Sequence, residues 1–81
     1  MSQFESVVDG FLHEVYNANE CHFNSNKDIV IDGREIAIEK DVAKKLMEIL
    51  LEQYENEEAK NEWNPLLAEK YKNLLLSYYF T

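Results

Sequence analysis

Two hydrophobic periods run along the chain, and they place its elements. Phe4, Val7, Val8, Phe11, Leu12, Val15 and Tyr16 recur every three or four positions, the spacing that gathers side chains on one face of an α-helix. Ser2 and Glu5 have capping-box spacing ahead of this stripe, with the serine hydroxyl accepting from the Glu5 N–H and the carboxylate reaching back. Asn17-Ala18-Asn19 supplies a stop, so a helix is expected over residues 2–17. Residues 20–27 are polar and end in the turn signal Asn24-Ser25-Asn26.

Between Asp28 and Glu39 the period changes to two. Asp32-Gly33 between isoleucine-rich segments is the strong local signal for a two-residue hairpin turn. With that pair as the loop, Ile31 faces Arg34, Val30 faces Glu35 and Ile29 faces Ile36. Opposed residues share a face, so Ile29, Ile31, Ile36 and Ile38 form one apolar surface, with Val30, Glu35 and Ala37 on the other. A two-stranded ribbon is not stable alone, and its isoleucine face must lie on helices.

The helical period returns at Asp41, a good N-cap, with Val42, Ala43, Leu46, Met47, Ile49, Leu50 and Tyr54 on the buried side of a helix over residues 41–62. Its last third, Glu55 to Glu62, is almost wholly polar and either continues as a solvated helix or frays. Asn64-Pro65 restarts the chain, Asn as cap and Pro at the first helical position. Leu67, Tyr71, Leu74 and Tyr78 then mark a helix over 65–79. The expected fold is α+β: one domain over residues 1–81, three helices packed against one two-stranded antiparallel hairpin, in the order α-β-β-α-α.

Composition narrows the function. The 81 residues suffice for one small core, burying about 63% of the unfolded surface. Sixteen acids against eight bases give a net charge of −8, which argues against direct binding to nucleic acid or an anionic membrane. The start of the chain has neither the basic nor the apolar stretch of a signal peptide, no apolar run approaches the ~20 residues of a membrane span, and the single Cys21 permits no internal disulfide. A cytoplasmic protein is expected. Asn, Lys, Ile and Tyr are abundant and Arg is rare, as AT-rich coding in a low-GC bacterium or its phage would give.

The charge is segregated. Glu5, Asp9, Glu14 and Glu20 occupy residues 1–20 without a base, and residues 46–63 carry six glutamates against Lys60. Glu48, Glu52, Glu55 and Glu62 fall at helical spacings that align them in a row, with Glu58 beside them. Such a row either solubilises the helix or presents charge to a basic groove, at a spacing loosely comparable to the ~3.4 Å advance of phosphates along a DNA strand. Trp63 beside it is either a hydrophobic staple for the last helix or an interface anchor. Tyr78, Tyr79 and Phe80 crowd the end of that helix and suit self-association.

Catalytic and metal signatures are missing from the sequence. Cys21-His22 and the distant His13 do not supply the paired ligands zinc uses. Gly10 and Gly33 are isolated, so there is no phosphate-binding glycine loop. No serine–histidine–aspartate grouping has a cleft to occupy in so small a fold. Lys44-Lys45 and Lys70/Lys72 are too few for a nucleic-acid patch. The expectation is a binding module without enzymatic activity, cofactor or metal. Its acidic face, Glu48, Glu52, Glu55, Glu58, Glu62 and Trp63, would dock on a basic protein such as a nucleic-acid-binding protein or defence effector, as small phage-encoded inhibitors do. The alternative is an assembly protein, homodimeric through the C-terminal aromatics or the hairpin edge.

Overall fold

The computed structural model describes residues 3–60 and 64–80, residues 57–60 by their backbone alone. Its elements are α1 (Gln3–Asn17), β1 (Cys21–Phe23), β2 (Ile29–Ile31), β3 (Arg34–Ile36), α2 (Lys40–Lys60) and α3 (Pro65–Tyr79). The class is α+β with three helices, as the periodicity implies. The sheet, however, is three-stranded, antiparallel and ordered β1-β2-β3, so the two-stranded hairpin is corrected by one strand.

The β2–β3 pairing has the register derived from the Asp-Gly turn: Ile29 opposite Ile36, Val30 opposite Glu35, Ile31 opposite Arg34. Asp32 and Gly33 both have positive φ, 50° and 84°, as a type I′ turn requires. The turn is also tied to the chain ahead of it. One Asp32 carboxylate oxygen accepts from the backbone N–H groups of Asn19 and Glu20 at 2.9 and 3.1 Å, and the Asp32 N–H donates to the Glu20 carbonyl.

The added strand pairs Cys21 with Ile31, His22 with Val30 and Phe23 with Ile29. Cys21 and Phe23 are buried and His22 between them is exposed. That alternation is present in the sequence, but three residues ending in a polar loop are too short to stand out. Loop 24–28 closes on Asn24, whose side-chain oxygen accepts from Asn26 N and Asp28 N at 3.0 Å, while Lys27 adopts φ 64°. The outer edge of β1 is covered by α3, where the Phe23 N–H donates to Ser77 Oγ at 2.8 Å.

The core gathers Val15 of α1, Cys21 and Phe23 of β1, Ile29 and Ile31 of β2, Ala43, Leu46, Met47 and Leu50 of α2, and Tyr71 and Leu74 of α3. Ile36 and Ile38 pack against it half-buried. The α1 stripe is wider than the face that packs: Val8 and Val15 are buried, whereas Val7 and Tyr16 are exposed. Tyr16 instead uses its hydroxyl, donating to Gln53 Oε1 at 2.7 Å, and Tyr71 donates to the same oxygen at 3.3 Å. Gln53 thereby joins all three helices.

Helix ends follow elementary hydrogen-bond accounting. Asn64 caps α3 by accepting from Leu66 N and Leu67 N, with Pro65 at the first helical position. α2 begins one residue earlier than expected: Glu39 supplies the first acceptor, to Ala43 N, and Asp41 lies in the first turn, accepting from Val42 N. The polar last third of α2 remains helical to Lys60. Ser2 of the expected capping box lies outside the described residues. The carboxyl end of α1 is capped from a distance, since Lys70 on α3, only 6% exposed, donates Nζ to the carbonyls of Tyr16 and Ala18 at 3.1 and 2.8 Å.

Gly33→Val isolates the turn term. A Cβ at Gly33 would meet nothing within 4 Å, so only the positive φ opposes it. Holding a β-branched residue there should cost about 1–3 kcal/mol, measured by urea unfolding. An unchanged midpoint would show that the type I′ geometry does not carry the register.

Candidate functional site

α2 turns one face to the core and the opposite face to solvent. Ala43, Leu46, Met47 and Leu50 are buried, while Glu48, Glu52 and Glu55 are exposed. At 1.5 Å rise per residue the three carboxylates attach about 6 and 4.5 Å apart along the axis. None of them pairs with a cation or accepts a hydrogen bond among the described residues. Glu58 lies on the same helix, with its side chain outside the description. Glu62 and Trp63 fall outside the described residues, so three of the six expected contact residues are placed together on a described surface.

The acids of α1 do not extend this row in the same way. Glu14 pairs with Arg34 of β3 at 3.2 Å, both exposed, a contact worth at most about 1 kcal/mol. Glu5 and Asp9 share a shallow groove of about 220 Å³ with Lys45 of α2. What distinguishes α2 is the alignment of its glutamates, since its six acids share the helix with four lysines.

Charge along α2 also runs against the helix macrodipole. Lys40, Lys44 and Lys45 occupy the first two turns and Glu52, Glu55, Glu57 and Glu58 the second half. Helix stability favours the reverse, by roughly 0.3–1 kcal/mol for a charge in a terminal turn, and like charges at i, i+4 such as Glu48 and Glu52 repel by a few tenths more. Asp41 and Lys60 agree with the dipole, but the pattern as a whole is not one that helix stability selects.

At the amino end of α2 the fold assembles a feature that sequence reasoning missed. Lys27 from the β1–β2 loop joins Lys40 and Lys44 around a cleft of about 530 Å³, with Asn26, Asp28, Ile38, Ala43 and Tyr78 as its other walls. The three lysines come from two segments more than ten residues apart, and only the hairpin brings them together. Lys27 is anchored there: its Nζ donates to the Tyr78 carbonyl at 2.9 Å and lies 5.7 Å from the Tyr78 ring centre.

Cys21 and His22 line a more open cleft of about 550 Å³ with Glu20, Asn73, Leu76, Ser77 and Phe80. Burial pushes the Cys21 thiol up to about 11, with Asp32 and Glu20 adding to the rise and Lys70 opposing it. The thiol is thus held protonated at neutral pH, the opposite of an activated nucleophile. Among the described residues no group of three or more His, Cys, Asp or Glu could hold a metal ion, and no helix is long and apolar enough to cross a membrane.

The raised thiol pKa has a testable sign. Above the ordinary value of 9.0 the unfolded chain loses the proton while the folded chain keeps it, so this contribution to stability is complete below pH 9 and declines as pH rises toward 11. The stability of wild type relative to Cys21→Ala should fall over that range, on the order of 2 kcal/mol in all, as measured by urea unfolding at each pH. A constant difference would contradict the burial argument.

No family model matches this chain, and no curated protein or solved structure gives a match.

Proposed function

We propose that the protein is a small binding module that docks the acidic face of α2 on a basic surface of another protein, one that itself binds nucleic acid, and so inhibits it by occupying that surface. The observation that supports this reading is the exposed row Glu48, Glu52 and Glu55, unpaired among the described residues and backed by a packed core face. Opposite potentials attract across such an interface and speed association. A carboxylate row fixed to one helix offers regularly spaced negative charge, as a nucleic-acid strand does. Glu58, Glu62 and Trp63 would extend the contact. A phage inhibitor acting in its host's cytoplasm fits this size and charge.

The test is capture of partners from bacterial lysate on immobilised protein, with identification by mass. A nucleic-acid-binding protein released by salt and by duplex DNA is expected. Glu48→Gln/Glu52→Gln/Glu55→Gln should bind that partner about tenfold or more weakly, chiefly through slower association, with thermal stability unchanged or slightly raised. A folded triple variant with wild-type affinity would overturn the reading.

A second reading, a homodimeric assembly protein, draws on the end of α3. Leu76, Tyr79 and Phe80 are 46, 50 and 81% exposed, and Leu76 and Phe80 line the same open cleft. The C-terminal aromatics suit this better than the hairpin edge, because β3 is three residues long and carries exposed Arg34 and Glu35, features that discourage edge pairing. Sedimentation equilibrium at about 100 µM, well above a micromolar dissociation constant, should then give a dimer mass that falls to monomer in Leu76→Ser/Phe80→Ser. A wild-type monomer at that concentration would remove the reading.

A further inference from the structure

The cleft at the amino end of α2 combines two kinds of surface. Ile38, Ala43 and the Tyr78 ring form apolar walls, and Lys27, Lys40 and Lys44 line the same space. Asp28 is the one carboxylate among the lining residues, so the local balance is positive in a chain whose net charge is −8. Its volume of about 530 Å³ lies in the range of small-ligand sites, which pair apolar walls with a few convergent polar groups. Lys40 stands in the first turn of α2, where the macrodipole disfavours a cation, so helix stability does not account for it.

We propose that this cleft is a binding site for a small amphiphilic anion, a phosphate monoester or carboxylate carrying one aromatic or branched apolar group. The apolar body would lie against Ile38, Ala43 and Tyr78, and the anionic head would meet the ammonium groups of Lys40 and Lys44, with Lys27 adding positive charge from its anchored position. The volume accommodates one ring and its head group. An anion without an apolar body leaves the walls uncovered, and an apolar molecule without charge leaves the lysines unanswered, so each half alone binds weakly. The site involves none of the glutamates of the proposed docking face and stands independently of that function. Its attraction acts at short range, because the chain as a whole repels anions and screening at 0.1 M salt sets in beyond about 10 Å.

Four probes separate the parts: phenyl phosphate, phenylacetate, inorganic phosphate and benzyl alcohol, each titrated at low salt while amide resonances are followed by NMR. Saturable shifts at Ile38, Ala43 and Lys44 are expected with phenyl phosphate or phenylacetate, whichever head group the lysines prefer, at least about tenfold tighter than with inorganic phosphate or benzyl alcohol. Lys40→Gln/Lys44→Gln should weaken that binding by about tenfold or more, and Lys44→Gln alone by an intermediate factor. Both side chains are exposed, so the thermal midpoint should stay near wild type. The proposal is overturned by any of three results: no saturable shift from either aromatic anion up to about 10 mM, equal binding of inorganic phosphate, or wild-type affinity in the folded double variant.

Discussion

A lysine buried in an acidic protein holds the architecture closed. Lys70 of α3 is almost inaccessible, and its ammonium group donates to two carbonyls at the end of α1, more than fifty residues away in sequence. Burying an ammonium ion is costly unless it is well hydrogen-bonded. Here it meets the negative end of a helix macrodipole, where a cation is favoured, and it satisfies carbonyls that the helix leaves open. The contact fixes α3 against the α1–β1 connection. From there Ser77, two turns further along α3, reaches the Phe23 N–H and closes the outer edge of the sheet. Cys21 and Phe23 enter the core at the same seam, so the third strand and the last helix depend on one another.

Lys27 performs a related task at the other end of α3. It lies in a left-handed turn conformation and gives Nζ to the carbonyls of Ser77 and Tyr78. Two of the chain's eight cationic side chains thus serve helix carboxyl ends, and Arg34 answers Glu14. Bases spent on the frame are not set against the glutamates of α2. The segregation of charge visible along the chain therefore has a structural component: Lys27, Lys70 and Arg34 are engaged by the frame, and the exposed row Glu48, Glu52 and Glu55 keeps no cationic partner among the described residues.

Much of this was legible in the sequence, and the parts that were not share a cause. The three helices, the Asn64-Pro65 start and the β2–β3 register are local properties, set by periodicity and by turn residues a few positions apart. β1 is not local: Cys21-His22-Phe23 becomes a strand because β2 accepts it on one side and α3 covers it on the other. Lys70 reads as a surface residue beside Glu69 and Lys72, and nothing nearby in sequence signals that it turns inward to cap α1. The exposed glutamates followed from helical spacing alone, whereas the lysine cleft needed the hairpin to carry Lys27 to the start of α2.

What the fold adds to the acidic row is a rigid base. Leu46, Met47 and Leu50, each 0% exposed, pin the middle of α2 from behind, and Gln53 ties the same stretch to α1 and α3. A partner need not order this backbone, so the entropy lost on docking is confined to glutamate side chains, each costing up to about 2 kcal/mol when fixed. The repulsion among Glu48, Glu52 and Glu55 works in the opposite direction. It raises the energy of the free protein by a few tenths of a kcal/mol per close pair, and cations brought between the carboxylates relieve it. On the proposed reading, a charge pattern unfavourable to the isolated helix thereby becomes part of the driving force for association.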